Sequence, residues 1–250
     1  MVSPMSKTAL ITGANKGIGR EIARQLGKKE HTVWLGARDV ERGEKAAAEL
    51  RAEGIDAHAL RLDVTSDASV KEAASIFAKS STRLDVLVNN AGIALGGYVP
   101  PSQTSLDDMH AIYEVNTFGP VRVTKAFLPF LIAAGQARIV MMSSSLGSIA
   151  EQLDPTSHTY GVNLLAYNSS KSALNMITVA FAKELAAHGI KVNAANPGYV
   201  GTDLNAFQGY RSVEEGARIA VRLATLGPQG PTAGFFHDGH VNDLGGRHAW

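Results

Sequence analysis

Seven short apolar segments alternate along the chain with longer segments of helical periodicity, and this alternation limits the fold more than any other feature. Most of the apolar segments are continuous rather than alternately polar, which is typical of strands buried on both faces of a parallel sheet. Helices that join parallel strands must pack on the two faces of that sheet. The strands are predicted over residues 8–12, 31–36, 57–62, 84–88, 137–142, 191–195 and 232–237.

Helical segments fill the connections between these strands. Pro120 and Pro129 should kink or divide the longest of them, because proline lacks the backbone donor that a helix interior needs. Residues 149–164 have no periodicity and are predicted to be irregular. The helices are predicted over residues 18–26, 40–53, 67–80, 106–134, 165–188 and 213–225. The fold class is therefore α/β, a doubly wound and mostly parallel seven-stranded sheet with helices on both faces.

Composition excludes several classes of function. The chain has 24 basic and 23 acidic residues among 250, so neither nucleic acid nor an anionic membrane is expected as its partner. It has no cysteine, which excludes disulfides, thiol nucleophiles and cysteine metal sites, and its histidines form no ligand pattern, so no metal site is predicted. The longest apolar run, 126–134, is too short to span a membrane, and the first residues lack a secretory core. We expect one domain in the cytoplasm.

A glycine-rich turn joins the first predicted strand to the first predicted helix. Glycines allow a tight turn and close backbone approach, and the helix N-terminus attracts an anion such as a dinucleotide pyrophosphate. A turn without a ligand is the alternative interpretation. The candidate cofactor-binding residues here are Gly13, Asn15, Lys16, Gly17, Ile18 and Gly19.

Tyr167 and Lys171 lie four residues apart in a segment of helical periodicity, so they share one helix face. A lysine cation held there can stabilise a tyrosinate, and a tyrosine so activated can exchange a proton with a carbonyl or alcohol oxygen. The same spacing also occurs by chance on many surface helices, so further motifs have to support a catalytic role.

Four motifs in collinear order supply that support. The pattern TGxxxGxG holds Gly13, Gly17 and Gly19, and Asn89-Asn90-Ala91-Gly92 follows the fourth strand. The pattern YxxxK and the tripeptide Asn196-Pro197-Gly198 come later, in the same order. Together they resemble the short-chain dehydrogenase/reductase family, and Gly234-Phe235-Phe236 resembles its carbonyl-reductase-like members. The resemblance implies a Rossmann-type fold, with residues 1–250 forming a single dinucleotide-binding and catalytic domain.

The end of the second strand bears on the choice of cofactor. Position 37 is Ala, where an acidic residue would bind the ribose hydroxyls of NAD, and Arg38 with Lys16 could bind a 2′-phosphate. Asp39 is either that acidic residue shifted by one position or the N-cap of the next helix, and we favour the cap. NADP, as NADPH, is therefore preferred to NAD. The resemblance adds Asp63, Val64, Asn90, Ala91 and Gly92 as contacts, although Asn89 and Asn90 also suit a simple turn.

The resemblance also assigns the reacting end. It implies that Ser144 polarises the substrate carbonyl, that Tyr167 donates the proton, and that Lys171 lowers the Tyr167 pKa and holds the nicotinamide ribose. Asn116 would hold a water in a relay to Lys171, but it could also simply face solvent. Without the resemblance, Ser143 and Ser145 would be equal alternatives to Ser144. The implied cofactor contacts also include Tyr167, Lys171, Pro197, Gly198, Val200 and Thr202.

The sequence thus predicts an NADPH-dependent carbonyl reductase or alcohol dehydrogenase that acts on a ketone, aldehyde or secondary alcohol. A non-catalytic NADP(H)-binding regulatory protein and a 3-oxoacyl-carrier reductase are the alternatives. The long 149–164 connection is expected to overhang the substrate pocket and to influence substrate choice. The resemblance implies a homo-oligomer, a dimer or tetramer, while that long connection also resembles monomeric members.

Overall fold

The computed structural model describes residues 6–238 and 246–250, and within these ranges one sheet organises the chain. Its seven strands pair in the order β3-β2-β1-β4-β5-β6-β7, and every pairing is parallel. The predicted α/β fold with a seven-stranded sheet is confirmed. The strands are β1 Lys7–Thr12, β2 His31–Ala37, β3 Ala57–Arg61, β4 Val86–Asn89, β5 Arg138–Met142, β6 Lys191–Asn196 and β7 Phe235–His237.

Helices cover both faces of the sheet. They are α1 Gly17–Gly27, α2 Val40–Ala52, α3 Asp67–Ala78, α4 Leu106–Tyr113, α5 Gly119–Ala133, α6 Ile149–Leu153, α7 Leu165–Glu184 and α8 Val213–Ala224. Short 3₁₀ turns cover Pro101–Gln103, Ser145–Gly147, Leu185–His188 and Asp203–Asn205, and a π-helical turn covers Glu114–Phe118. No helix in the described ranges is both long and apolar enough to cross a membrane.

Each strand divides its side chains between two apolar cores. Ile11 and Leu35 face the core beneath α1, α2 and α8, whereas their neighbours Leu10 and Trp34 face the core beneath α3, α5 and α7. Burial of one such large side chain stabilises the fold by about 1.5–3 kcal/mol relative to exposure. In the second core, Phe77 packs edge-on against Trp34 at a ring-centroid distance of 5.3 Å.

Three local features differ from expectation. The long predicted helix is interrupted near Pro120, by the π-helical turn Glu114–Phe118 that precedes it, whereas α5 continues through Pro129 without a division. The run 149–164 begins with the short helix α6, whose N-terminus is capped by the Ser148 side chain accepting from the backbone of Glu151. Strand β7 starts at Phe235 instead of residue 232, because the Thr232 hydroxyl takes the backbone donor of Val192 at 3.1 Å.

The strand order reverses direction between β1 and β4, since β2 and β3 lie on one side of β1 and the later strands on the other. In open parallel sheets a crevice forms at this point, outside the carboxyl ends of the strands. The glycine turn after β1 and the Asn-rich turn after β4 meet there. The fold therefore places the candidate site residues at one edge of the sheet.

Candidate active site

A cleft of about 570 Å³ opens at the carboxyl ends of the strands. Most of the residues predicted for the cofactor line it, although they come from six separate stretches of chain. Those residues are Gly13, Asn15, Lys16, Gly17, Ile18, Gly19, Arg38, Asp63, Val64, Asn90, Ala91, Gly92, Tyr167, Lys171, Pro197 and Thr202.

The glycine turn is fitted to its neighbours so tightly that side chains are excluded. Gly13 and Gly17 have φ of +64° and +56°, in the left-handed region that favours glycine. A Cβ on Gly13 would lie 3.0 Å from the Cα of Ala91, and one on Gly19 would lie 2.5 Å from the Asn90 side chain. The turn therefore presents backbone at the start of α1, which is where an anion is stabilised.

The Asn-rich turn after β4 braces this glycine turn. The Thr12 hydroxyl accepts from the backbone donors of Asn90 and Ala91 at 2.9 and 3.0 Å. The Asn90 amide in turn donates to the Thr12 carbonyl at 2.8 Å. Asn89 donates to the Thr124 hydroxyl at 3.1 Å and is buried. Both asparagines thus have a structural role, whatever ligand Asn90 also contacts.

The end of β2 supplies positive charge, and the neighbouring Asp39 carboxylate is engaged with Arg42, whose Nε lies 3.3 Å from it. The Asp39 side chain accepts from the backbone of Arg42 at 3.0 Å, so Asp39 caps α2 as favoured above. Arg38 is exposed and lines the cleft, and so does Arg42, which the sequence argument missed. Lys16, which was expected to bind the 2′-phosphate together with Arg38, forms an ion pair with Asp203 at 3.0 Å.

Asp63 faces this charged end as an ionised group. Burial by itself would raise its pKa, but hydrogen bonds from the backbone and hydroxyl of Thr65, at 3.0 and 2.7 Å, more than offset that effect. The positive charges of Arg38 and Arg122 add to the decrease, so the pKa of Asp63 lies below its usual value.

Lys171 is buried beside Tyr167 on α7. Its Nζ donates to the Met142 carbonyl at 2.9 Å, lies 5.6 Å from the centroid of the Tyr167 ring, and is only 5% exposed as a residue. Burial lowers the pKa of Lys171 to about 8. Below that pH the ammonium is present next to the phenol.

Tyr167 is affected by burial in the opposite direction. Loss of water raises its pKa to about 12, and a hydrogen bond with the Ser144 side chain lowers it only in part. We had expected Lys171 to lower this pKa. The shift has the other sign because desolvation of the phenol outweighs its stabilising contacts, while the Lys171 amine donates to a backbone carbonyl. Tyr167 is therefore a neutral phenol at pH 7, and so a proton donor.

The three adjacent serines have different surroundings. Ser143 is buried and donates to Asn175 at 2.6 Å, which ties β5 to α7. Ser144 accepts from the backbone of Leu146 at 3.3 Å, and it is the serine that hydrogen-bonds Tyr167. Ser145 is also buried. Geometry therefore separates serines that the sequence could not rank.

Asn116 lies in the π-helical turn and is fully buried, so the alternative in which it faces solvent is wrong. Its side chain accepts from the backbone donor of Ile93 and donates to the Ile93 carbonyl, both at 2.9 Å. It also donates to the Ser170 hydroxyl at 3.1 Å. A Cβ on Gly92 would lie 3.4 Å from the Asn116 oxygen and 3.7 Å from the Lys171 amine, so these groups adjoin one another.

Four predicted residues lie outside the lining of the cleft: Asn116, Ser144, Gly198 and Val200. Val200 is buried, and its side chain would meet a Cβ on Gly216 in α8 at 2.5 Å. Gly198 has φ of +75° and packs against the Arg211 side chain. Both residues thus pack against the rest of the protein, at α8 and Arg211, instead of lining the cleft.

The cleft also contains residues that the sequence argument did not assign. The connection 149–164 was expected to overhang the substrate pocket. All of its residues are described, and none of them lines this cleft. Arg42 lies in the first turn of α2, directly after the Asp39 cap, and this proximity in sequence to Arg38 could have revealed it. The other unassigned lining residues are Asp39, Leu62, Thr65, Ile93, Ala94, Leu95, Val115, Met142, Ser143, Asp203 and Leu204.

The chemistry available in this cleft is proton transfer beside an anion site. It combines a phenol, an amine and a hydroxyl with a glycine turn at a helix N-terminus. Across the ranges that the structure describes, no group of three or more His, Asp or Glu side chains could hold a metal ion.

Comparison with known proteins gives a consistent family. A family model described as short chain dehydrogenase matches residues 7–211. A short-chain dehydrogenase of Penicillium roqueforti is 37% identical over 234 residues, covering 91% of this chain and 92% of its own. The (+)-neomenthol dehydrogenase of Arabidopsis thaliana is 33% identical over 291 residues, with coverage of 94% and 97%.

A solved structure is similar over almost the whole length. It is an NADPH-bound carbonyl reductase from chicken fatty liver, which has 29% identity and a TM-score of 0.83. The match covers 98% of this chain and 99% of that one.

Proposed function

Because the chain belongs to the short-chain dehydrogenase family, and is thus an oxidoreductase, we propose that it is an NADPH-dependent carbonyl reductase. In the reverse direction it would oxidise a secondary alcohol. One observation carries the proposal: a neutral Tyr167 phenol, bonded to Ser144 and adjacent to the Lys171 amine, lies in the cleft that the glycine turn enters. Residues 1–250 would act as a single dinucleotide-binding and catalytic domain.

The residues present fit NADPH. Backbone at Gly13 and Gly19, where a Cβ would collide with its neighbours, would approach the pyrophosphate at the start of α1. Arg38 would bind the 2′-phosphate as a charge-assisted donor, and Ala37 offers no carboxylate to repel it. Arg42, whose Nε pairs with Asp39 at 3.3 Å, would add its terminal guanidinium nitrogens. The similar carbonyl reductase structure contains NADPH, which supports the same choice. When bound, NADPH would supply the hydride.

The side chains of the protein would transfer a proton to the substrate and stabilise the negative charge that forms. The Ser144 hydroxyl would donate a hydrogen bond to the substrate carbonyl oxygen, a fixed dipole where negative charge grows. The Tyr167 phenol would transfer its proton to that oxygen as the C–O bond becomes that of an alcohol. Tyr167 would be left as a tyrosinate, which the Lys171 ammonium stabilises until solvent returns the proton.

Lys171 is held in place for this work by its bond to the Met142 carbonyl at 2.9 Å. At an effective dielectric of about 20, two unit charges ~4 Å apart interact by roughly 4 kcal/mol. Such an interaction is available to a tyrosinate but not to a neutral phenol, so it acts on the reacting state. Asn116, bonded to the Ile93 backbone and adjoining Lys171, would keep the surrounding loop in register.

A panel of ketones tests the function directly. Cyclohexanone, acetophenone and 2-octanone would be offered with NADPH and with NADH, and cofactor oxidation followed by absorbance. We expect turnover of at least one ketone, and about tenfold or higher kcat/KM with NADPH, since charge-assisted bonds to the 2′-phosphate are worth about 1.5–3 kcal/mol. Preference for NADH by the same factor would contradict the cofactor assignment.

Tyr167→Phe tests the proton donor. It removes one hydroxyl and should reduce kcat by about 10²-fold or more, the usual contribution of a positioned acid, while NADPH still binds. Cofactor binding is measured by fluorescence titration, and Tyr160→Phe, on the exposed 149–164 connection, is the matched control. A Tyr167→Phe enzyme that keeps most of the wild-type kcat would show that another group donates the proton.

The substrate of this site would be a small carbonyl compound or alcohol.

The chain would also assemble as a homo-oligomer. Large apolar side chains are exposed on three helical elements: Leu106 on α4, Phe118 on the π-helical turn and Met176 on α7 are 69%, 52% and 61% exposed. Burial of these side chains against a second copy would be favourable. Sedimentation velocity distinguishes a dimer or tetramer from a monomer.

A further inference from the structure

The segment 246–250 lies along the edge of the sheet, next to β7. The backbone of His237 donates to Gly246 at 3.1 Å, and the backbone of His248 donates to Phe235 at 2.8 Å, in an antiparallel arrangement. The Phe235 ring contacts His248 at a centroid distance of 4.5 Å and stacks on Trp250 at 5.7 Å. The segment is therefore fixed to the sheet by both backbone and side chains.

The same segment also holds α6, which belongs to the connection between Ser144 and Tyr167. The Ser148 hydroxyl donates to the Ala249 carbonyl at 2.7 Å, and the backbone of Ala150 donates to a Trp250 oxygen at 3.3 Å. A side-chain contact joins the two as well, between His248 Nδ1 and the Glu151 carboxylate. Residues far apart in sequence thus anchor the start of this connection.

His248 forms a second contact through its other ring nitrogen. Its Nε2 lies 2.8 Å from the side-chain nitrogen of Asn196, the last residue of β6. The Asn196 oxygen is already used, because it accepts from the backbone of Gly198 at 3.0 Å. The Asn196 nitrogen must therefore face His248 and donate to it. Nε2 accepts that bond, and the proton of a neutral ring is on Nδ1, which donates to Glu151.

These contacts connect His248 to two parts of the cleft, the loop after β6 and the start of α7 at Tyr167. Asn196 immediately precedes Pro197, which lines the cleft. On the other side, Gln152 follows Glu151 on α6 and accepts from Asn168 at 3.4 Å, and Asn168 is the neighbour of Tyr167. The His248 side chain is 8% exposed and that of Glu151 is 22% exposed, so water competes little for these bonds.

We propose that His248, by joining Glu151 on α6 to Asn196 at the end of β6, is a positioning residue for the substrate side of the cleft. It sets the distance between the loop after β6 and the connection that leads to Tyr167. It does not touch the reacting atoms. The inference rests on the proposed carbonyl reductase function, in that the space so defined would receive the carbonyl substrate, whereas the tether itself does not depend on that function.

The first test measures the tether without any substrate. In His248→Phe the ring packing against Phe235 is retained and both polar contacts are lost. Hydrogen exchange followed by mass spectrometry should show faster exchange in 145–165 and 196–203 than in wild type. His188→Phe, on an exposed turn at the far end of β6, is the matched control and should exchange as wild type in both segments. Unchanged exchange in the His248→Phe protein would overturn the proposal.

The second test uses the panel ketone that wild type reduces fastest, with saturating NADPH. Loss of both polar contacts in His248→Phe, or of the Glu151 contact alone in Glu151→Ala, should raise the ketone KM by about five- to tenfold, with kcat changed much less. Glu151→Gln should recover the wild-type KM, because its amide oxygen still accepts from Nδ1. A kcat loss with unchanged KM, or no recovery in Glu151→Gln, would overturn the positioning role.

The two proposals fail in different ways. If wild type reduces no ketone of the panel, the proposed function is in doubt, and exchange in 145–165 still tests the tether. If wild type reduces ketones but His248→Phe matches the His188→Phe control in both exchange and KM, the function stands and the positioning role is wrong. Should His248→Phe fail to fold, Glu151→Ala, on the partly exposed side of the same contact, provides both measurements.

Discussion

Burial moves the two neighbouring groups Tyr167 and Lys171 toward their uncharged forms. It raises the pKa of the phenol to about 12 and lowers that of the amine to about 8. A neutral phenol is the form that can donate a proton to a carbonyl oxygen. A charged amine is the form that can stabilise the tyrosinate left behind. Both forms coexist only below about pH 8.

This overlap predicts the pH dependence of reduction. As pH rises through about 8, Lys171 loses its proton while Tyr167 stays protonated, so kcat/KM for ketone reduction should fall with an apparent pKa near that of Lys171. The profile is measured with NADPH kept saturating, as verified by titration at each pH. A profile that stays level or rises above pH 8 would contradict the role given to the ammonium.

At the residue scale, Arg38 is the side chain that we propose to select NADPH over NADH. It is exposed at the mouth of the cleft, and the neighbouring carboxylate of Asp39 is used as a helix cap. Arg38→Ala should raise the KM for NADPH by about tenfold and leave the KM for NADH almost unchanged. The reason is that only NADPH has a 2′-phosphate, so only its binding loses a charge-assisted bond. Arg218→Ala, on the exposed face of α8, is the control. An equal loss with both cofactors would refute the assignment.

At the scale of elements, the close contact between the Ser145–Gly147 turn and α7 holds Ser144 near Tyr167. The Gly147 carbonyl accepts from the Ser172 hydroxyl at 2.9 Å and from Asn175 at 3.1 Å. A Cβ on Gly147 would lie 2.7 Å from the backbone carbon of Lys171. Only glycine allows these two elements to approach so closely.

Gly147→Ala should therefore push the turn away from α7. We expect a loss of about 1–3 kcal/mol in the free energy of unfolding, the usual cost of overpacking, together with a lower kcat because Ser144 and Tyr167 separate. Chemical denaturation and ketone turnover measure the two effects. Gly161→Ala is the matched control, since a Cβ there would meet nothing within 4 Å. Equal stability and equal turnover of the two variants would show that the turn accommodates the extra methyl group without moving away from α7.

The π-helical turn is a second element-scale feature. It carries Asn116 into the interior between Ile93 and Ser170, and wider turns of this kind often occur at functional sites. Pro120, four residues later, has no backbone donor for the Asn116 carbonyl. The sequence indicated an interruption through this proline, but it could not show that the wider turn comes before it. The side chain of Asn116 and its long-range partners decide the position.

For the whole molecule, the continuous seven-stranded sheet with one core on each face suggests one cooperative unit. Thermal unfolding of the chain should give a single transition, and NADPH at about 100 times its dissociation constant should stabilise the fold by about 2.7 kcal/mol. Calorimetry with and without NADPH measures both, and NADH at the same concentration is the control. Two separate transitions would contradict the single-domain proposal.

The sequence alone determined the features that repeat locally. Continuous apolar runs identified the strands and a period of 3.6 residues identified the helices, and together they predicted the parallel sheet whose carboxyl ends meet at one edge. The glycines at 13, 17 and 19 and the Tyr167-Lys171 spacing are likewise local patterns. Asp39 could be interpreted as a cap because its partner is only three residues away.

Tertiary structure alone decided the features that depend on desolvation and on contacts between distant residues. The Tyr167 pKa rises instead of falling because the fold removes water from the phenol and directs Lys171 Nζ to a carbonyl of β5. Ser144 differs from Ser143 and Ser145 only through its three-dimensional neighbours. His248 reaches Glu151 across 97 positions of chain, and no local pattern records such a pairing. Sequence periodicity specifies which face of an element is buried, whereas the packed fold specifies what each buried polar group meets there.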